Sequence, residues 1–417
     1  MLQNMDKKKI LFVTARMPFP AKEGHQLRSS GILTQLSKHY DVHLFSFKRP
    51  DDVLDASSDK DYEQYCRSVT TTPLKGGFVT KVKTLLYSIL KREPVVQSKF
   101  TDSNATASFV DALNLIKPDL VHFDLLPLYG LRTHVPKHIP VILDEHNVEF
   151  HLIEQKIATE NNPLMRTLYS RELKLLKPFE CNSCLDAEAV LACSEADTNE
   201  IKAFGQNSTY CIPNGVSVSK FLGASEVIDK DRLVFLGGMS WFPNRLGMQW
   251  FIDDILPSLL SKRPDIVVDV IGNPEPRLEI PERLSGNINI LGFVDDFRPI
   301  VKKAAIMIVP LQIGSGTRLK IVEGGAMSKC MVSTPKGAEG IELENNKSII
   351  LAESASEFAT AIDQVLSSPE KLKDIGNEAF QMVSSTYDWN AIGSNLNNIY
   401  NELIHQDNES VIERAAS

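Results

Sequence analysis

Short runs of Val, Ile, Leu and Phe alternate with longer stretches in which apolar residues recur every three or four positions. In the first half the short runs predict strands at Lys9–Thr14, Val42–Phe47, Leu120–Phe123, Val141–Leu143, Ala189–Ala192 and Thr209–Ile212. In the second half they predict strands at Leu233–Leu236, Val267–Ile271, Ile288–Leu291, Ala305–Val309, Met331–Ser333 and Ser348–Leu351. The runs are near-continuous rather than alternating, which is the pattern of parallel strands buried on both faces. The longer stretches predict helices at Gln26–Ser37, Leu164–Leu176, Arg245–Leu260, Arg318–Met327, Ala355–Leu366 and Asn390–Ile404. Such alternation implies βαβ units and doubly wound sheets.

The strongest interruption is Pro213-Asn214-Gly215, a turn followed by polar sequence to Asp231 before a fresh strand. It predicts two α/β lobes, 1–215 and 216–385, with a terminal helix at 386–417 packing back toward the first lobe and a frayed polar tail from Gln406. Ligands of such sheets bind beyond the carboxyl ends of the strands.

The most informative local stretch is Gly314–Ala326, a glycine-rich turn that follows a buried strand and opens a helix. Free N–H groups and the helix dipole at such a turn favour an anion. Arg318 and Lys320 add full positive charge. Glu323 lies about 8 Å further along the axis, placed to accept hydrogen bonds from a sugar hydroxyl pair. Gly324-Gly325 cost a helix about 1 kcal/mol each relative to alanine, which implies close approach of another backbone or a ligand.

Composition narrows the classes of function. The 417 residues carry 43% hydrophobic and 24% charged side chains, ordinary for a soluble globular protein. A net charge of -8 and no basic-aromatic stripe argue against a nucleic-acid partner. Ile10–Ala15 ends at Arg16 after six residues, too short for a signal-peptide core, and no long apolar run predicts a membrane span. A cytoplasmic chain with six reduced cysteines is expected, and Cys181-Asn-Ser-Cys184 lacks the second pair of a zinc site. No His/Asp/Glu cluster has metal-ligand spacing, so no metal is expected. Asp229-Lys230-Asp231 sits in a linker and is discounted. Val79–Arg92 is basic and amphipathic. Its ordinary reading is a lobe helix with the apolar face inward; the alternative is a peripheral segment on an anionic membrane.

Several stretches, in order, resemble the GT-B glycosyltransferases, in particular the retaining family 4 group. They are Leu236-Gly237-Gly238-Met239 with Pro243-Asn244, Ile290–Asp296, Gly314–Ala326 and Ser333–Gly340. In the first half they are Pro18-Phe19-Pro20 with Gly24, Asp144–Glu149 and Pro213–Val216. The resemblance implies two Rossmann-like doubly wound parallel-sheet lobes facing a central cleft. It implies a metal-independent retaining transferase that needs no cofactor beyond its donor substrate, a UDP- or GDP-sugar. The acceptor would be a polysaccharide, glycan or lipid-linked precursor, and the leaving phosphate would take the acceptor proton in a front-face transfer.

The resemblance also assigns residues. Ser315, Gly316, Thr317, Arg318 and Lys320 would surround the diphosphate, Arg318 as its main cation, with Lys320 otherwise a solvated helix lysine. Glu323 would hold the ribose, and its other reading is a salt bridge to Lys320. Backbone at Phe293 and Val294 would meet the base, and Glu339 would face the sugar or diphosphate or else cap a turn. Gly24 would let the loop after the first strand approach the diphosphate. His146 would donate to phosphate or to a sugar hydroxyl, and Asp124 would act as base toward the acceptor or else cap the strand end. The family's first glutamate is replaced by Ser315, which raises the alternative of a catalytically silent nucleotide-sugar-binding or scaffold protein. A dinucleotide enzyme is disfavoured, because Ala15-Arg16-Met17-Pro18 stands where a glycine fingerprint belongs.

Overall fold

The computed structural model describes residues 7–21, 24–50, 52, 56–74, 76–223, 227–275, 277–314 and 318–416. The chain divides into two units, Met1–Asn214 together with Ile392–Ser417, and Gly215–Ala391.

The first unit holds a seven-stranded sheet of β1 (Lys9–Thr14), β2 (Asp41–Lys48), β3 (Ser68–Pro73), β4 (Leu120–Phe123), β5 (Val141–Glu145), β6 (Ala189–Ala192) and β7 (Thr209–Cys211). All neighbours pair in parallel, in the order β3-β2-β1-β4-β5-β6-β7. The order reverses between β1 and β4, so the loops after these strands part to opposite faces and leave a crevice at the carboxyl ends. β4 and β6 are buried at every position, as their apolar runs require. β3 lacks such a run. Ser68-Val-Thr-Thr-Thr-Pro73 pairs only with β2 and ends in proline, both features of an edge strand, so apolar periodicity does not find it.

The second unit holds a six-stranded parallel sheet of β8 (Asp229–Leu236), β9 (Val267–Ile271), β10 (Ile288–Gly292), β11 (Ala304–Val309), β12 (Cys330–Ser333) and β13 (Ile350–Leu351). Its order is β10-β9-β8-β11-β12-β13, with the reversal between β8 and β11. Asp229-Lys230-Asp231 is therefore the start of β8 rather than linker. The predicted 245–260 helix starts earlier, at Phe242, and passes through a π-turn at Phe251–Ile255 before ending at Leu260.

The last helix runs Trp389–Ala416, past the expected fraying point at Gln406. Its first-unit portion packs on that unit's core: Leu396 and Tyr400 are fully buried, and the Tyr40 hydroxyl donates to Asn401 Oδ1 at 2.7 Å. No disulfide joins any of the six cysteines.

Candidate functional site

In the second unit the site begins where β8 and β11 diverge. β8 is followed by Gly237-Gly238, and Gly237 has a φ of 150°, a conformation side chains resist. A Cβ there would lie 2.6 Å from Asn244 Nδ2 and 2.9 Å from Lys320 Nζ. Lys320 comes from the other side of the divergence, on the helix Leu319–Ala326 that follows β11. Its ammonium donates to Asn244 Oδ1 at 2.7 Å and lies 4.4 Å from the Phe235 ring centre. It is neither a solvated helix lysine nor ion-paired with Glu323. The Asn244–Lys320 hydrogen bond ties the two loops that border the crevice.

Burial pushes the Lys320 ammonium down to about 7, with the Arg318 charge acting the same way and Glu323 opposing. Burial pushes the Glu323 carboxyl up to about 7, against the pull of Lys320. Among the described residues neither group is in an ion pair, so each would gain from a ligand group that supplied one. Arg318 caps the helix start and is 7% exposed. Its guanidinium donates to the Lys336 carbonyl at 3.5 Å and would meet a Cβ on Gly314 at 3.0 Å. Burial lowers its pKa, with Glu339 pulling the other way. Ser315, Gly316 and Thr317 lie outside the described residues.

Glu339 is exposed and paired with Lys336 three residues earlier, so its direct partner is local. It remains near enough to act on Arg318 through its charge. Phe293 follows β10 and is 57% exposed, while Val294 packs against the core. The carbonyl of Gly292 accepts from Gly272 N–H at 2.8 Å, so the ends of β9 and β10 are joined at this edge. Gly324 and Gly325 serve packing rather than a ligand. A Cβ on Gly324 would strike the Met331 and Met307 sulfurs, and one on Gly325 would strike Val383 Cγ2 at 2.5 Å.

In the first unit, Asp144 and His146 lie at the end of β5 and, two residues apart, project to one side. Glu145 between them turns the other way, toward Cys184 Sγ at 3.8 Å. His146 Nε2 stands 3.4 Å from both Asp124 and Asp144. Opposite is Arg28, the sole Lys, Arg, Asp or Glu in the helix Gly24–Leu36 and 1% exposed. Its Nε donates to Asp144 Oδ2 at 2.9 Å and its Nη1 to the Ile212 carbonyl at 2.6 Å. Ser29 Oγ donates to Asp124 Oδ2 at 2.6 Å. Behind them His122 stacks on Phe12, and its Nδ1 accepts the Tyr400 hydroxyl at 2.6 Å.

The cluster is electrically balanced. Burial alone would strip the proton from His146, but Asp124 and Asp144 outweigh it and push the imidazole up to about 9. Burial likewise opposes charge on Asp144, yet Arg28 and His146 hold it well below the usual carboxylate range. Burial raises Asp124, with His146 and Ser29 opposing. Burial lowers His122 to about 3, so it is neutral. Two cations thus face two carboxylates.

This arrangement revises two expectations. Asp124 is 1% exposed, accepts the Ser29 hydroxyl and is ion-paired with His146, so its carboxylate is engaged within the cluster and is not the exposed base expected for an acceptor. The fold also assembles a three-residue acidic–imidazole group that sequence spacing does not show: His122, Asp124 and Asp144 bring ligand atoms within 4.8 Å of one another. Arg28 and His146 already neutralise those carboxylates, which makes the group an ion-pair network. Arg28 was missed by sequence reasoning, although one arginine in an otherwise uncharged helix was the available signal. Gly24 begins that helix.

Residues 230–368 match the family model for glycosyl transferases group 1. A Klebsiella pneumoniae protein described as an "uncharacterized 44.6 kDa protein in cps region" is 23% identical over 93% of this chain and 98% of its own. Anabaena HepE, crystallised with UDP, aligns over 94% of this chain and 100% of its own at 14% identity and a TM-score of 0.65. Sucrose-phosphate synthase from Thermosynechococcus elongatus aligns over 96% and 100% at 15% identity and a TM-score of 0.69. TarM of S. aureus, in a complex with fondaparinux, alpha-GlcNAc-glycerol and UDP, aligns over 94% and 100% at 11% identity and a TM-score of 0.64. With two doubly wound parallel sheets and these structural neighbours, this chain has the GT-B fold, and the stretch 230–368 within its second sheet unit is similar to the glycosyl transferases group 1 family.

Proposed function

We propose that this protein is a metal-independent, retaining glycosyltransferase. It moves a sugar from a UDP- or GDP-sugar to a polysaccharide, glycan or lipid-linked acceptor, working in the cytoplasm with a peripheral membrane contact through 79–92. The observation that carries the reading is the Asn244–Lys320 link across the β8/β11 divergence, with Arg318 and Glu323 on the same helix turns.

Departure of a nucleoside diphosphate develops negative charge, and stabilising that charge is the main catalytic requirement. Arg318 and Lys320 are the cations assigned to it. The planar guanidinium suits bidentate phosphate contact, and the partly desolvated ammonium gains most when an anion arrives. Glu323 accepts the ribose hydroxyls. Phe293 and Val294 bound the base. In the first unit His146, held as imidazolium by Asp124 and Asp144, is the proton-bearing donor to phosphate or sugar, and Arg28 fixes Asp144. The leaving phosphate takes the acceptor proton, so no carboxylate nucleophile is required.

The test is a panel of nucleotide sugars incubated with the purified chain and read by mass spectrometry, beside thermal shifts with UDP and GDP. Slow release of free nucleotide from one donor, abolished in Arg318→Ala, supports the reading. Nucleotide binding with no hydrolysis or transfer from any donor would instead support the silent binder. No nucleotide response at all would refute both.

A further inference from the structure

The helix Phe78–Lys91 is amphipathic in the reverse sense to a lobe helix. Thr80, Thr84 and Ser88, spaced by four, form its inward stripe, and Ser88 is the buried residue. Arg171 holds that stripe, donating to the Ser88 hydroxyl at 3.1 Å and its carbonyl at 2.9 Å. The opposite face is apolar and open: Phe78 and Leu90 are each 82% exposed, and Val79, Val82, Leu86 and Ile89 join them. Lys81 and Lys83 flank this face, with Lys91 and Arg92 at the end and no acidic residue from Gly76 to Arg92. The inward apolar face expected from sequence is therefore absent. A contiguous exposed apolar face bordered by lysines is that of a helix lying in a membrane interface, its lysine stems reaching back to the headgroups.

A pocket of about 700 Å³ opens beside this helix, within the range that encloses small ligands. Its walls are mainly apolar, including Leu74, Leu85, Val96, Ile153 and Tyr169. Arg49, Lys81 and Lys99 also line it. Among the described residues none of these three cations is in an ion pair, and Arg49 Nε is buried without a hydrogen-bond partner. Glu172, the acid on the lining, is already committed: its carboxylate accepts the Val95 N–H at 2.8 Å. Burial, and then Arg49 and Lys81, hold the Lys99 ammonium below its usual value, so the three cations crowd one another.

We propose that the Phe78–Lys91 helix lies in the interface of an anionic bilayer and that the adjoining pocket takes a long-chain lipid phosphate from it. The chain would lie along the apolar walls and the phosphate against Arg49, Lys81 and Lys99. As the acceptor site this deepens, and rests on, the glycosyltransferase reading; as a binding site it stands on the pocket alone.

The full chain is tested by flotation with phosphatidylcholine vesicles, with and without phosphatidic acid, and by titration with dodecyl phosphate, dodecanol and inorganic phosphate. UDP binding is followed in parallel. The anionic vesicles should carry the protein, and Leu86→Ser with Leu90→Ser, both on the open face, should cut flotation at least tenfold. Dodecyl phosphate should bind more tightly than either of its halves, and Lys81→Glu with Lys99→Glu should weaken it at least tenfold while UDP binding holds. Equal flotation on neutral vesicles, equal dodecyl phosphate affinity in the charge-reversed variant, or a dimer that buries the helix face would each overturn the proposal. Loss of UDP binding with lipid binding intact would sink the functional reading and leave this site standing.

Discussion

Replacing Asp144 by asparagine should convert His146 from a group charged at neutral pH to one that is largely neutral. At 3.4 Å and an effective dielectric near 20, each carboxylate attracts the imidazolium by about 5 kcal/mol. Against this stands burial. The net result, a pKa raised from 6.5 to about 9, corresponds to about 3 kcal/mol at about 1.4 kcal/mol per pH unit. Losing one of the two attractions removes more than that margin, so the midpoint should fall to 6.5 or lower. Because the folded value is raised, the stabilisation is complete below about pH 6.5 and fades as pH climbs through about 9. The assay is NMR titration of the imidazole Cε1–H, assigned by its loss in His146→Gln. A wild-type midpoint at or below 6.5, or one unmoved in Asp144→Asn, would refute the reasoning. Turnover that needs the imidazolium should decline along the same alkaline limb.

Three further outcomes follow from the site. Glu323→Gln would remove the charge-assisted hydrogen bonds proposed for the ribose, worth about 1.5–3 kcal/mol, and should weaken UDP binding by about ten- to a hundredfold in calorimetry; an unchanged affinity would remove Glu323 from the site. Lys320, with a pKa of about 7 in the free protein, should take up a proton when a diphosphate binds near pH 8. Binding enthalpy should then vary with the buffer's ionisation enthalpy, and Lys320→Met should abolish that dependence. Gly376→Ala places a Cβ 2.1 Å from the Ser328 carbonyl oxygen, a backbone atom, and should cost about 3 kcal/mol, seen as a lowered thermal midpoint with UDP contacts untouched.

The sequence by itself determined every strand but the edge strand β3, and the parallel pairing of the rest. Runs such as Leu120–Phe123 and Ala304–Val309 are apolar on both sides, and only a sheet covered on both faces buries them so. It also marked the stretch proposed for the donor, because a glycine-rich segment, a cation pair and a carboxylate at helical spacing are adjacent in the chain. Partnerships between distant positions were decided by tertiary structure alone. Arg28 and Asp144 are 116 residues apart and meet because the helix after β1 reaches the end of β5, one strand beyond β4 in the sheet order. The bond from Lys320 to Asn244 spans 76 residues in the same way. Which side of the Phe78–Lys91 helix faces the protein was likewise beyond the sequence: periodicity gives the existence of an apolar face, whereas the neighbours, here Arg171 on Ser88, decide what that face meets. Burial, finally, sets the charge states. The same histidine type is neutral at 122 and protonated at 146, because one lies behind the carboxylates against Tyr400 and the other directly between them.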